Sequence, residues 1–390
     1  MKKSVLVVLL MAAFGIQASC SRPVEPPVPG AWQIDRYREL IAGKPVAVVA
    51  NQTSMIGMTH LVDTLKHSGF DIRAIFAPEH GFRDLADAGD HIEDGKDAST
   101  GIPIISLYGG HFKPLPEDLT GISVVLFDIQ DVGVRFYTYI STLHYVMEAC
   151  AENNVECIVL DRPNPNGFYV DGNILDTAHR SFVGMHPVPV VHGMTIGEYA
   201  QMINGEGWLK DGVRCRLTVI PCRNYTHQTY YELPVRPSPN LPNQNSVYLY
   251  PSTCFFEGTT LSLGRGTSFP FQVYGSPKLP DSGFSFTPES VSGARNPPLL
   301  GQLCYGADLR NALADGIVPS PELNLGWVID AWNKYPDKDD FFTPYFDVLA
   351  GGPVIREQIV SGLSAGEIRE TWLSGLESFM RIREKYLLYK

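Results

Sequence analysis

The sequence predicts an α/β protein built on a parallel, doubly wound sheet, and three observations carry that expectation. Short apolar runs alternate with helix-patterned stretches across residues 45–166. The runs are β-rich and nearly continuous, as strands buried on both faces are. Polar residues collect directly after the runs, at the end where open α/β sheets bind ligands.

The first element is a leader. Lys2 and Lys3 precede an apolar run over 5–16 and then Gln17-Ala18-Ser19-Cys20. A positive start, an apolar stretch and small residues make a signal peptide over 1–19. The apolar run is too short to span a bilayer, which takes about 20 residues. Small residues directly before Cys20 resemble the lipobox of bacterial lipoproteins, so Cys20 is expected to be the lipidated first residue of the mature chain. Pro23, Pro26, Pro27 and Pro29 make 20–30 an extended tether.

Composition narrows the function. Hydrophobic residues make up 44% of the chain, enough for a real core. The net charge is −11, and removal of the two leader lysines takes it to −13. That acidity argues against nucleic acid and against a polybasic membrane surface. Beyond the leader no apolar run is long enough for a transmembrane helix, so the membrane is met through the lipid anchor only. Six cysteines follow Cys20, at 150, 157, 215, 222, 254 and 304, without zinc-site spacing. An exported chain permits disulfides. For Cys150 and Cys157, in helix- and strand-patterned runs, burial as small apolar residues is at least as well supported.

Strands are expected at 46–50, 72–77, 102–107, 124–127 and 157–160, with helices at 59–68 and 138–152. Asn51-Gln52-Thr53-Ser54 follows the first strand and Pro78-Glu79-His80-Gly81-Phe82-Arg83 the second. Asp128-Ile129-Gln130-Asp131, then Gly133 and Arg135, follow the fourth, and Asp161-Arg162-Pro163-Asn164 the fifth. Each polar residue alone reads as a cap or turn; four such sets in register read as a site. The dinucleotide and phosphate-loop fingerprints are missing, as are G-x-S-x-G and H-E-x-x-H, so no cofactor is expected. Glu79, His80 and Asp128 bind a metal only if a turn converges them. Past residue 166, Thr195 and Glu198 form a capping box before a helix. A strand-like run covers 216–221, a rigid turn-rich segment covers 236–242, and the tail from 345 reads as amphipathic helices.

At this point the motifs resemble a known family. Val49-Ala50-Asn51-Gln52-Thr53-Ser54, Ala77-Pro78-Glu79-His80-Gly81-Phe82-Arg83, Asp131-Val132-Gly133-Val134-Arg135-Phe136-Tyr137-Thr138-Tyr139, Leu160-Asp161-Arg162-Pro163-Asn164, Pro237-Ser238-Pro239-Asn240, Phe256-Glu257-Gly258-Thr259 and Gly264-Arg265-Gly266-Thr267 are similar to the bacterial exo-β-N-acetylmuramidases, long a domain-of-unknown-function family. The matches run across nearly the whole mature chain. Asp84 stands where a Gly is usual, and Leu263 where an acidic residue is expected; both bear on substrate preference. The resemblance implies a Rossmann-like catalytic domain, taken as 31–190, and a smaller α+β domain over 191–390 that closes a cleft and ends in helices. It implies exo-cleavage of terminal N-acetylmuramic acid (MurNAc) from peptidoglycan-derived MurNAc–GlcNAc saccharides, without a cofactor. The protein would be lipid-anchored in the envelope, facing the periplasm from the outer membrane.

Glycoside hydrolysis needs a proton donor and stabilisation of an oxocarbenium-like centre. Glu79 is the expected donor, with His80 beside it and Asp128 as second carboxylate. Asn51, Arg83, Arg135, Tyr139, Asp161, Asn164, Asn240, Glu257 and Arg265 are the expected substrate contacts. MurNAc carries a lactyl carboxylate, which a guanidinium binds bidentately, and Arg83 or Arg265 is the expected reader. Two other readings compete: a sugar-binding lipoprotein without turnover, and a metal-dependent peptidoglycan amidase.

Overall fold

A computed structural model describes residues 25–83, 94–312 and 320–389. Its centre is a seven-stranded sheet of β1 (Val46–Ala50), β2 (Ile72–Ala77), β3 (Gly95–Lys96), β4 (Pro103–Ser106), β5 (Val124–Asp128), β6 (Glu156–Leu160) and β7 (Arg216–Ile220). The order is β3-β4-β2-β1-β5-β6-β7. Every pairing is parallel except that of the short edge strand β3 with β4. The five expected strands fold within a residue of their predicted limits.

The uninterrupted apolar runs serve two cores. In β1, Val46, Val48 and Ala50 pack into one cluster with Tyr37 and Ile41 of α1 (Ile34–Ile41) and Leu61, Val62 and Leu65 of α2 (Leu61–His67). Ala47 and Val49 face the other side, toward α3 (Tyr139–Glu152) and α4 (Ile196–Gly205). Side chains alternate across a strand, so a run buried on both faces must be apolar throughout. The Thr195–Glu198 capping box opens α4 as expected.

The sheet does not stop at residue 190. Strand β7 pairs with β6 in register from Glu156↔Arg216 to Leu160↔Ile220, so the sheet-bearing half includes α4 and reaches at least Ile220. The change of sequence character after 166 marks a long loop, and the sheet continues beyond the 31–190 limit expected for the catalytic domain.

The smaller domain holds α5 (Gln244–Thr253), an antiparallel sheet of β8 (Val273–Ser276), β9 (Ser285–Phe286) and β10 (Cys304–Asp308), and the helices α6 (Gly326–Lys334), α7 (Pro344–Ala350), α8 (Val354–Val360), α9 (Ala365–Glu370) and α10 (Leu373–Arg383). Its core is continuous with the α3 face of the sheet: Phe255, Phe346, Trp372 and Phe379 belong to the same cluster as Val49 and Leu143. The six described cysteines are buried free thiols. No described helix is long and apolar enough to cross a membrane. The leader, Cys20 and Asp84 lie outside the described residues.

Candidate active site

Strand β2 ends at Ala77 and the chain turns at once. The Gly81 N–H donates to the Pro78 carbonyl at 3.0 Å, and His80 and Gly81 adopt φ of 71° and 87°. Glycine takes positive φ freely, while an imidazole-bearing residue is held there only by its surroundings. The turn delivers Glu79 to the wall of a cavity of about 510 Å³, within the size range of small-molecule sites. Thr138, after β5, donates its hydroxyl to Glu79 Oε2 at 2.7 Å. Tyr108, just past β4, lines the same wall, and burial with the Glu79 charge close by holds its phenol well above the usual range. The carboxyl ends of β2, β4 and β5 thus share one wall, next to the point where successive strands switch sides of β1.

The inner wall is aromatic. Tyr137 and Tyr139 pack edge-on with centroids 4.9 Å apart, Tyr137 meets Tyr250 at 5.8 Å, and Tyr250 meets Phe271 at 5.1 Å. The Tyr137 and Tyr139 hydroxyls donate to the Pro237 carbonyl at 2.8 and 3.4 Å, and Gln52 Nε2 reaches the same oxygen at 3.1 Å. These bonds tie the turn-rich 236–242 segment to the strand ends.

Across the cavity stand Glu257 and Arg265, joined through the guanidinium Nε at 3.0 Å and Nη2 to the same carboxylate oxygen. The arginine rises from a loop whose flanking Gly264 and Gly266 have φ of 77° and 82°; a Cβ on Gly266 would meet the Glu289 carbonyl at 2.4 Å. The 293–298 segment forms the roof and carries Arg295. Asn240 Nδ2 pins it by donating to the Gly293 carbonyl at 3.0 Å. Tyr345, at the start of α7, lines the cavity within electrostatic reach of both Glu257 and Glu79.

Of the expected residues, Glu79, His80, Tyr139, Glu257 and Arg265 line the cavity. Asn51 and Asn240 stand one bond behind it: Asn51 Nδ2 donates to the Tyr139 hydroxyl at 2.9 Å, and Asn240 holds the roof. The other five are engaged away from the lining. Asp128 is fully buried and takes Arg162 Nε at 2.6 Å and Nη2 at 2.9 Å. Asp161 accepts from Thr195 Oγ1, Gly197 N and the Tyr389 hydroxyl, organising the start of α4. Asn164 Nδ2 donates to the Met194 carbonyl at 2.9 Å, and its amide packs against Gly133.

Arg83 forks onto Asp63 at 2.6 and 2.9 Å and onto Asp97 at 2.8 and 3.0 Å. Arg135 is fully buried, and its Nη atoms donate to the carbonyls of Asn173, Val188, Leu349 and Ala350. Burial without a counter-charge lowers its pKa to about 9. Both arginines brace neighbouring segments. With Asp128 committed to Arg162, Glu79 and His80 gain no third ligand from it, and no group of three metal-ligating side chains occurs among the described residues. Sequence reading missed Tyr108, Thr138, Tyr250, Arg295 and Tyr345. Leu263, noted for its unexpected identity, does line the cavity.

Comparisons with known proteins cover both halves of the chain. Residues 46–245 match the model for the N-terminal domain of exo-β-N-acetylmuramidase NamZ, and 248–389 match that for its C-terminal domain. The chain is 37% identical over 372 residues to the peptidoglycan β-N-acetylmuramidase NamZ of Bacillus subtilis (strain 168), covering 90% of this chain and 89% of that protein. Two crystal structures of DUF1343 family proteins from Bacteroides fragilis are similar. One is 47% identical with a TM-score of 0.87, covering 94% of this chain and 99% of that one. The other is 29% identical with a TM-score of 0.80, covering 93% and 99%. With both halves matched in order along one chain, this protein belongs to the exo-β-N-acetylmuramidase NamZ family.

Proposed function

We propose that this protein is a glycoside hydrolase that removes β-linked MurNAc from the non-reducing ends of peptidoglycan fragments, with Glu79 as the proton donor. The observation that carries the reading is Glu79 itself: a carboxyl at a strand end, on the cavity wall, held by the Thr138 hydroxyl. Proton transfer from a positioned acid to the leaving oxygen is the step this chemistry requires. Glu257 replaces Asp128 as the second carboxylate, since it lines the same cavity and Asp128 does not. Arg295 and Arg265 are guanidinium groups on the lining; we assign the lactyl carboxylate to Arg295, which the 293–298 roof carries over the cavity, and the balancing of Glu257 to Arg265.

The test is Glu79→Gln. It should fold normally, still bind MurNAc ligands and lose roughly 10²–10⁴ in turnover on a natural disaccharide. The loss should be smaller on a nitrophenyl glycoside, whose departure needs little protonation. A folded variant with near-normal turnover on the disaccharide would move the acid elsewhere.

We also read the mature protein as exported and lipid-anchored through Cys20, facing the periplasm. The leader and the Pro-rich tether support this. Cys20→Ser should leave an unlipidated protein, and a wild type that fractionates as soluble, without acyl groups on Cys20, would overturn the assignment.

A further inference from the structure

We infer that Tyr108, Phe112 and Phe182 form the platform on which the leaving sugar stacks, a neutral N-acetylhexosamine on the far side of the scissile bond. The inference rests on the hydrolase reading above and deepens it. An acid that protonates a glycosidic oxygen touches the atom joining two sugars, so the departing ring lies against whatever borders that acid on its open side. Tyr108 lines the same wall as Glu79 and lies close enough for that carboxylate to act on its phenol. Around it lies a ring cluster: Tyr108 meets Phe112 at 5.7 Å and 80° and Phe182 at 6.0 Å and 52°, and Phe112 meets Phe182 at 4.3 Å. Tyr145 backs Phe182 in near-parallel stacking, 14° between planes.

Exposure separates this cluster from the inner aromatics. Tyr137, Tyr139, Tyr250 and Phe271 are buried, whereas Tyr108, Phe112, Phe182 and Tyr145 are each half-buried. Tyr108 and Phe182 also line the cavity, so the half-buried rings continue its wall outward. The platform is held in place: the Phe182 carbonyl accepts from Ser141 Oγ of α3 at 2.7 Å, and Ser181 and Gly184 bridge on either side of it. A half-buried aromatic ring on a cavity wall suits the C–H face of a pyranose. Lys113, beside Phe112, is neutralised by Glu148 and Glu152 at 2.8 and 2.6 Å. The rings themselves carry no charge, which suits an uncharged sugar, GlcNAc.

The experiment compares hydrolysis of the MurNAc–GlcNAc disaccharide with that of β-MurNAc fluoride, which has no leaving sugar, by the full-length protein and by Phe112→Leu, Phe182→Ala and Phe182→Leu. The leucine variants keep apolar bulk without the ring face, which guards against a folding defect. Each variant should lower the disaccharide-to-fluoride ratio of kcat/KM by roughly 3- to 10-fold, the scale of one aromatic contact. Phe182→Tyr should restore that ratio, and free GlcNAc should inhibit the leucine variants less than the wild type. Ratios equal to wild type in folded Phe112→Leu and Phe182→Leu would overturn the platform. A wild type that hydrolyses neither substrate would instead overturn the hydrolase reading.

Discussion

Replacing Asp128 by Asn should cost stability and spare the chemistry. The carboxylate is fully buried, and its partner Arg162 is 3% exposed. The two meet through a forked contact of 2.6 and 2.9 Å. Arg162 has one further acceptor, the Met55 carbonyl at 3.3 Å, which does not compensate a whole charge. Neutralising one member strands the other in the interior, and such losses run to about 3–5 kcal/mol, far above a surface pair. Urea unfolding of Asp128→Asn should therefore show a deficit of that order, while turnover per folded molecule stays within about threefold of wild type. Adding Arg162→Met to Asp128→Asn should recover part of the loss, because no unpaired charge is left. An Asp128→Asn protein as stable as wild type but down about 100-fold in turnover would refute this reasoning and return Asp128 to the reaction.

Two other substitutions separate recognition from catalysis at the cavity. Arg295→Ala should reduce the preference for MurNAc over GlcNAc glycosides by roughly tenfold, the order expected for one charge-assisted contact. Arg265→Ala strips Glu257 of its counter-charge and should slow both sugars alike; steady-state kinetics on both sugars distinguishes the patterns. His192 is fully buried, and burial lowers its pKa to about 3, with a smaller contribution from Arg383. The unfolded chain takes up this proton near pH 6.5, so the stability His192 confers is present above that pH and is lost as pH falls toward 3. Between pH 7 and 5 the wild type should lose about 2 kcal/mol more than His192→Phe, and parallel urea titrations with equal slopes would contradict this.

The strand ends were readable because backbone physics announces them: a β-rich apolar run followed by turn residues can hardly be anything else. Glu79 emerged from that logic. Tyr108 obeys the same logic but follows its strand as Tyr108-Gly109-Gly110, with no charge to draw notice. Arg295 sits among prolines and glycine in a roof loop whose position depends on Asn240, far away in sequence. The misassigned residues fail for a different reason. A buried ion pair such as Asp128–Arg162 and a catalytic carboxylate with its arginine share the same residue types at the same strand ends, and only the fold decides which one faces the cavity. Arg83 illustrates this. Its partners Asp63 and Asp97 lie on either side of it in the chain, and their convergence is invisible until α2 packs against the β2 turn.

Arg135 has a consequence for how this architecture can be taken apart. Its guanidinium spends two of its bonds on the carbonyls of Leu349 and Ala350, more than two hundred residues downstream. The α3 face of the sheet finishes its packing on Phe255 and Phe346. A fragment ending near residue 245 would keep the whole seven-stranded sheet yet hold a cation stripped of the two carbonyls at its Nη2, beside bare apolar surface. The two family domains are thus modules of sequence but not of assembly. A chimera joining halves from two relatives has to carry a matched 349–351 segment and a matched α3 surface, or the graft will not seat.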